Sequence, residues 1–205
     1  MKLSIHPQNP ELRKIQQAVE ILKSGGVIIY PTDAVYVMGC SLLHNKAIQK
    51  VAQLRGIKPE KANFTLMCED LSHLSSYCKP INTATFRVMR DKLPGPYTFI
   101  LEASNEVPKI FKSKKKTVGI RVPDNLITRT LIKELGNPLI STSVHNDDQI
   151  LEYISEPSLI AEQWENQVDC IIDGGMGGLT ATTIIDCTGP EPEVTRQGLG
   201  VLENQ

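Results

Sequence analysis

The segment Val27–Cys40 reads VIIYPTDAVYVMGC, so an apolar run passes directly into a proline, a hydroxyl and a carboxylate. Residues 27–30 have the β-branched and aromatic composition of a strand, and Pro31 ends it because proline cannot donate to a sheet ladder. Thr32 and Asp33 are therefore expected at the carboxyl end of a strand. Ligand sites of α/β sheets form at such ends, which makes this segment the first candidate site.

Helical and strand patterns alternate on both sides of this segment. Apolar residues recur at helical spacing in residues 10–24, and short apolar or alternating runs bounded by proline and glycine indicate strands. The patterns predict helices at 10–24, 47–54, 82–92, 125–134 and 157–165, and strands at 27–30, 64–67, 97–101, 118–122, 138–140, 168–172, 182–186 and 193–196. Because no linker or internal repeat is found, we expect one α/β domain over residues 1–205, with a twisted mixed sheet flanked by helices and no second C-terminal domain.

Composition is that of an ordinary globular protein. Of the 205 residues, 40% are hydrophobic and 22% charged, and the net charge of −1 offers no general attraction to nucleic acid or to an anionic membrane. No apolar run approaches the roughly 20 residues that span a bilayer, and the amino terminus lacks an apolar leader, so we expect a cytoplasmic protein without membrane contact. The five cysteines form no CxxC pair and are expected to be reduced packing residues.

Hydroxyls and one arginine recur at the predicted strand ends. The set comprises Thr32 and Tyr36 after the first strand, Arg121 within 118–122, Ser141-Thr142-Ser143 after Ile140, and Thr182-Thr183 before Ile184. Hydroxyls hold small polar ligands, and an arginine binds a carboxylate through two parallel hydrogen bonds. The set indicates an amino-acid-sized ligand with a carboxylate, although each hydroxyl alone equally fits the ordinary role of capping a turn or helix.

Basic residues form a second set. Arg55 lies at the end of a helix, Lys58 and Lys61 lie in the loop that follows, and Arg196 lies near the carboxyl terminus. Cations brought together from distant segments suit a polyphosphate, whose transfer depends on charge neutralisation and positioning. As single residues they are equally typical of a solvated surface. The chain has no GxxxxGK[ST] motif, which excludes a P-loop.

Two further segments have an unusual composition. The run GGMGG at 174–178 has no lysine and no helix pattern after it, so we interpret it as a mobile loop. A dense basic run contains Lys112, Lys114, Lys115 and Lys116. Such a run is either a solvated loop or a contact to the phosphates of RNA.

Several motifs occur in one order along nearly the whole chain. They are PTD at 31–33 with Tyr36 and Gly39, PGP at 94–96 with Thr98, RVP at 121–123, STS at 141–143, TTIID at 182–186 and RQG at 196–198. In this combination the chain resembles the YrdC-like family of threonylcarbamoyl-AMP synthases. It is similar in particular to the YciO subgroup, because NFTLMC at 63–68 replaces the family's usual lysine-proline-leucine run.

The resemblance implies a reaction in which L-threonine, bicarbonate and ATP give threonylcarbamoyl-AMP and pyrophosphate, for the modification of certain tRNAs. It also implies a twisted sheet with a large, positively lined concave surface. Carried over by position, the residues around threonine are Thr32, Tyr36, Arg121, Thr142 and Thr182. Those facing the nucleotide phosphates, with magnesium, are Arg55, Lys61, Ser143 and Arg196. Such a reaction needs alignment and charge stabilisation, without a covalent enzyme intermediate.

Two positions depart from the synthase pattern. Arg55-Gly56-Ile57 stands where the family has lysine-x-arginine, and Ser143-Val144-His145 stands where it has serine-x-asparagine. Each lost polar contact to a triphosphate costs about 1.5 to 3 kcal/mol, so we expect a slower reaction. Two alternatives stay open: a protein of this fold that binds tRNA or double-stranded RNA without synthesis, and an enzyme that acts on another nucleotide or on an acyl phosphate.

Overall fold

A computed structural model of the chain describes residues 1–58, 64–105, 107, 116–144 and 155–201. The strands of these residues are β1 (Lys2–Ser4), β2 (Ile28–Tyr30), β3 (Val37–Ser41), β4 (Thr65–Met67), β5 (Tyr97–Glu102), β6 (Thr117–Arg121), β7 (Leu139–Ser143), β8 (Cys170–Asp173), β9 (Thr183–Asp186) and β10 (Glu193–Arg196). The helices are α1 (Leu12–Lys23), α2 (Asn45–Leu54), α3 (Leu74–Tyr77), α4 (Thr83–Lys92), α5 (Leu126–Leu135) and α6 (Pro157–Trp164).

The strands form one mixed sheet in the order β1-β8-β2-β3-β7-β4-β6-β5-β9-β10. The pairs β1–β8, β2–β8, β4–β6 and β5–β9 are parallel, and the other neighbours are antiparallel. Strands that are distant in sequence are therefore neighbours in the sheet, and helices supply many of the crossovers. This arrangement confirms the predicted fold class, a single α/β domain with a twisted mixed sheet flanked by helices.

One face of the sheet carries the larger apolar core. Side chains such as Phe99 and Ile120 point to this face and are buried in one cluster with Ile48 of α2, Met89 of α4 and Trp164 of α6. Burying each large apolar side chain contributes about 1.5 to 3 kcal/mol relative to leaving it in water. This cluster is therefore the main source of hydrophobic stabilisation and leaves little freedom in the strand positions.

The opposite face is covered only in part. A second cluster includes Ile15 of α1 and Leu131 of α5, which are buried with Tyr30 of β2 and Ile172 of β8. This cluster contains no residue of β5, β6 or β9. The same face of those three strands is thus left for polar residues, and it is there that a cavity forms.

The predicted site segment contains a strand that the sequence analysis missed. β3 pairs antiparallel with β2, with Tyr30 opposite Val37, so residues 31–36 form the turn of a hairpin. All five residues of β3 are buried, which explains why VMGCS shows no alternation of polar and apolar residues. β1 was also missed, and β7 continues to Ser143, so Thr142 and Ser143 lie within a strand rather than after it.

The five cysteines are free and four of them are buried, which confirms their predicted role as reduced packing residues. Among the residues that the structure describes, no helix combines the length and the apolar character needed to cross a membrane.

Candidate ligand site on the concave sheet face

A cavity of about 500 Å³ lies on the partly covered face of the sheet. Its walls are formed largely by alternate residues of neighbouring strands, since successive side chains of a strand point to opposite faces. They are Val37 of β3, Ser141 and Ser143 of β7, Thr65 and Met67 of β4, Thr117, Gly119 and Arg121 of β6, Thr98 and Ile100 of β5, Ile184 and Asp186 of β9, and Arg196 of β10. Thr142 and Thr182 also line it. The site thus lies on a sheet face, and not only at the strand ends where it was predicted.

Arg121 is buried at one side of this cavity, with 4% of its surface exposed. Its Nη2 donates to Thr32 Oγ1 at 3.0 Å and forms an ion pair with the Asp33 carboxylate. A buried charge needs such a partner because its desolvation is costly. Arg121 Nε and the second carboxylate oxygen of Asp33 are buried without a hydrogen-bond partner among the described residues. The described residues therefore leave one guanidinium donor of Arg121 without a hydrogen bond.

Thr32 combines a turn role with its contact to Arg121. Its hydroxyl donates to the Val35 carbonyl at 2.7 Å and accepts from the Ala34 N–H at 3.0 Å, which fixes the hairpin turn. One hydroxyl thus makes both the turn contacts and the contact with Arg121. Holding the turn also holds Asp33 against Arg121.

Thr182 joins two sides of the cavity. Its hydroxyl shares a hydrogen bond of 2.8 Å with Thr98 Oγ1, and its carbonyl accepts from Arg196 Nη2 at 2.9 Å and from Arg196 Nε at 3.3 Å. Partial burial lowers the pKa of Arg196, but an arginine remains charged at neutral pH. The Arg196 guanidinium is therefore held beside the predicted threonine-binding hydroxyls and carries a full positive charge.

Tyr36 does not reach the cavity. Its hydroxyl donates to the Gly175 carbonyl at 2.7 Å and accepts from the Gly174 N–H at 3.1 Å. Burial raises the pKa of this hydroxyl well above its usual value. The structure therefore gives Tyr36 contacts with the glycine-rich segment, whereas the sequence analysis expected it beside threonine.

The glycine-rich segment is attached to the hairpin turn rather than free of it. The Gly178 N–H donates to the Ala34 carbonyl at 2.7 Å, and the Gly177 N–H donates to the Ser155 carbonyl at 2.8 Å. A side chain on Gly178 would lie 2.3 Å from that Ala34 carbonyl oxygen. The interpretation of residues 174–178 as a mobile loop therefore misses its contacts, because glycine here permits close packing.

The predicted phosphate-binding residues are only partly brought together. Ser143 and Arg196 line the cavity, whereas Arg55 follows α2 and donates through Nη1 to the Val144 carbonyl at 3.2 Å, beside Ser143 but outside the cavity wall. Ile57, which stands where the family has a cation, packs against the main apolar core. Lys61, His145 and the predicted RNA contacts Lys112, Lys114 and Lys115 lie outside the described residues. Lys116 is exposed, and its carbonyl accepts from the Ala103 N–H at 2.8 Å.

Several cavity residues were missed by the sequence analysis. Thr65, Gly119 and Asp186 line the cavity but received no role, and Asp33, which pairs with Arg121, was named only as a strand-end residue. The alternation of Thr117, Gly119 and Arg121 with buried Val118 and Ile120 was a usable signal, because it places one polar and small face against one apolar face. The charged residues that line the cavity are Arg121, Arg196 and Asp186, so hydroxyls outnumber the cations that the concave surface was expected to carry.

The fold and the cavity describe an α/β domain with a candidate site for a small polar ligand on a hydroxyl-rich sheet face. A family model described as telomere recombination, Sua5/YciO/YrdC, matches residues 20–198. The chain belongs to this Sua5/YciO/YrdC family, as the motifs predicted.

Three relatives show the range of similarity. The uncharacterized protein YciO of Escherichia coli strain K12 is 46% identical over 96% of this chain and 94% of its own length. The crystal structure of E. coli YciO has a TM-score of 0.90 and covers 98% of this chain and 97% of that one. The threonylcarbamoyl-AMP synthase of Coxiella burnetii (strain RSA 493) is 32% identical over 80% of this chain and 87% of its own length. The crystal structure of P. abyssi Sua5 complexed with L-threonine, at 24% identity and a TM-score of 0.87, covers 97% of this chain and 57% of that one, which is a likeness of fold.

Proposed function

We propose that this protein synthesises threonylcarbamoyl-AMP from L-threonine, bicarbonate and ATP, at a lower rate than the synthases of the family, for the modification of tRNA. The observation that carries the proposal is one cavity that contains Arg121, with a donor to spare, together with Ser143, Thr182 and Arg196. The similarity to the C. burnetii synthase supports the same activity, and the fold shared with the P. abyssi Sua5 that was crystallised with L-threonine agrees with it.

The proposed amino-acid end of the site is built around Arg121. The Arg121 guanidinium donates to the threonine carboxylate, while Asp33 and Thr32 hold it in place. The hydroxyls of Thr142 and Thr182 supply further polar contacts from two sides of the cavity. Hydrogen bonds to a charged ligand are the strong ones, so we assign the orientation of threonine to Arg121.

The proposed chemistry needs positioning more than a reactive side chain. The threonine amine and bicarbonate give a carbamate with loss of water, a carbamate oxygen attacks the α-phosphorus of ATP, and pyrophosphate leaves. Arg196 and Ser143 lie on the wall of the same cavity and stabilise the negative charge on the phosphates. Holding the carbamate and the α-phosphate together supplies the remaining rate enhancement.

Magnesium enters this proposal as part of the ATP complex. The described residues contain no group of three or more histidine, cysteine, aspartate or glutamate side chains that would hold a metal ion. Magnesium usually retains several waters and binds substrate phosphates with one or two carboxylates. Asp186 is the carboxylate on the described cavity wall, and it is the residue that we assign to such a contact.

The lower rate follows from the nucleotide side of the site. Ile57 supplies no cation where the family has one, and it packs against the core instead. Losing one charge-assisted contact in the transition state costs about 1.5 to 3 kcal/mol, which is roughly a ten- to hundredfold loss in rate. The amino-acid side retains its arginine, so binding of threonine should be affected less.

The test is incubation of the protein with MgATP, L-threonine and labelled bicarbonate, followed by chromatography for labelled threonylcarbamoyl-AMP and pyrophosphate. We expect a product that disappears in Arg121→Ala and Arg196→Ala but persists in Arg87→Ala, which changes an exposed arginine of α4. Absence of product at high protein concentration would refute synthesis. Salt-sensitive tRNA binding without product would instead favour the RNA-binding alternative, and nucleotide turnover indifferent to threonine would favour another nucleotide reaction.

A further inference from the structure

Gly119 lies at the centre of the cavity floor. It belongs to β6, which pairs with β4 on one side and β5 on the other, and its partners in the two ladders are Thr65 and Ile100. Ser141 is opposite Thr65, and Asp186 is opposite Ile100, so one row of residues crosses the cavity with Gly119 in its middle. The other four residues of this row each carry a side chain that lines the same cavity.

Glycine in the interior of a central strand needs a reason, because it loses conformational entropy and contributes no packing. Backbone conformation is not the reason, since Gly119 is absent from the glycines of positive φ, which are Gly25, Gly56, Gly136 and Gly175. Lack of space is not the reason either. A Cβ on Gly119 would lie 3.4 Å from Thr98 Cγ2 and 3.5 Å from both Ile100 Cδ1 and Thr65 Oγ1, which are ordinary contact distances.

Gly39 provides the contrast within the same sheet. It is the glycine of β3, and a Cβ there would lie 2.5 Å from the Ile140 carbonyl oxygen and 2.8 Å from Ser141 Oγ. Backbone atoms of a paired strand cannot move away easily, so the fold itself requires glycine at position 39. The fold makes no such demand at position 119, although both glycines occupy interior strand positions.

The position of β6 in the sheet indicates why glycine is present at position 119. In the strand order, Ser143 of β7 and Arg196 of β10 lie on opposite sides of β6, and both line the cavity. A ligand that contacts both walls must cross β6 over the cavity floor. Arg121, two residues further along β6, directs its guanidinium to Thr32 and Asp33.

We infer that Gly119 is a specificity-determining residue: the nucleotide part of the ligand lies over β6 at this position, which lines the cavity without a side chain, and a side chain there would reduce the space for the nucleotide. This inference rests on the proposed function, because that function makes the ligand a nucleotide long enough to cross the sheet. A single methylene in a binding pocket changes affinity by roughly ten- to two-hundredfold. Even alanine at position 119 should therefore weaken MgATP binding. Valine, which extends further from the strand, should weaken MgATP binding more than alanine does.

The test compares Gly119→Ala, Gly119→Val and Gly39→Ala with the unmodified protein, with Gly189→Ala as a control in open surroundings where the nearest atom would be 3.8 Å away. MgATP binding is measured by calorimetry and the melting temperature by circular dichroism. We expect Gly119→Ala to melt at the same or a higher temperature while binding MgATP roughly tenfold or more weakly, and Gly119→Val to bind more weakly still. Gly39→Ala should lower the melting temperature, and Gly189→Ala should change neither quantity.

The outcomes separate this inference from the proposed function. MgATP binding by Gly119→Ala within twofold of the unmodified protein would overturn the inference, as would a fall in melting temperature comparable with that of Gly39→Ala. If the unmodified protein does not bind MgATP, the proposed function fails. The nucleotide role of Gly119 then fails with it, whereas a loss of MgATP affinity confined to the Gly119 variants at an unchanged melting temperature supports both.

Discussion

Arg121 and Asp33 form a buried ion pair that connects the middle of the sheet to the hairpin turn between β2 and β3. The two residues are 88 positions apart in the chain, and the side chain of each is at least nine-tenths buried. The pair therefore does two things: it neutralises the arginine charge inside the protein, and it fixes the direction in which the remaining guanidinium donor points. Stability and ligand recognition are coupled at this point.

Asp33→Asn is expected to destabilise the protein by about 3 to 5 kcal/mol, because removing one partner of a buried pair leaves the other charge uncompensated. Urea unfolding monitored by circular dichroism measures the loss. The matched control is Asp124→Asn, which changes an exposed aspartate next to the motif Arg121-Val122-Pro123. It should shift the free energy of unfolding by less than about 0.5 kcal/mol. Equal stability of the two variants would show that the ion pair contributes nothing to folding.

The two arginines of the cavity are expected to serve different parts of the substrate set. Arg121→Lys should weaken L-threonine binding roughly ten- to a hundredfold, since lysine lacks the planar fork, and should affect MgATP binding less. Arg196→Ala should do the reverse, because we assign the positive charge of Arg196 to the nucleotide phosphates. Calorimetric titration of each variant with each ligand gives four affinities. A similar loss for both ligands in both variants would contradict this division of the cavity.

Much of the fold could be predicted because its signals are local. Helix α5 begins where the Asn125 side chain accepts from the Thr128 N–H at 3.1 Å and ends at Gly136 in the left-handed conformation, and both signals are single residues in the sequence. β3 gave no comparable signal, because a strand buried on both faces shows no alternation. Which part of the sheet face stays uncovered depends on where α1 and α5 pack. No local sequence pattern predicts that position.

The identities of most site residues could be predicted from the sequence, but the directions of their side chains could not. Arg121, Thr142, Thr182, Ser143 and Arg196 were named from the sequence, and all five line one cavity. Tyr36 was named with them, yet the direction of a side chain that leaves a hairpin turn depends on what packs against it. Here that neighbour is the glycine-rich segment, which is more than 130 residues away in the chain. The binding roles of these residues stay predictions.

Tyr36→Phe is expected to destabilise the protein by about 1 to 2 kcal/mol, because it removes two hydrogen bonds and leaves the Gly174 N–H and the Gly175 carbonyl without this partner. Urea unfolding is again the measurement. Tyr77→Phe is the matched control, since Tyr77 is half-buried and its hydroxyl makes no hydrogen bond with the described residues. If both variants unfold at the same urea concentration, the attachment of the glycine-rich segment adds nothing to stability.

The buried thiols are expected to make the protein sensitive to alkaline pH. Burial raises the pKa of Cys40 and of Cys68 to about 12 and the pKa of Cys170 to about 11, whereas an unfolded thiol titrates near a pKa of about 8.5. The neutral thiol is therefore favoured in the folded state, so this contribution to stability is complete below about pH 8.5 and is lost progressively as the pH rises toward 11 and 12.

Melting temperatures measured from pH 7.5 to 10.5 should fall with increasing pH, and the fall should be shallower in Cys68→Ala, which lacks one of these groups. At pH 8, Ellman's reagent should react readily with at most one thiol of the folded protein, the half-buried Cys187, and with all five in urea. Rapid reaction of several thiols in the folded state would show that the sulfur atoms are accessible, and the predicted pH dependence would then lose its physical basis.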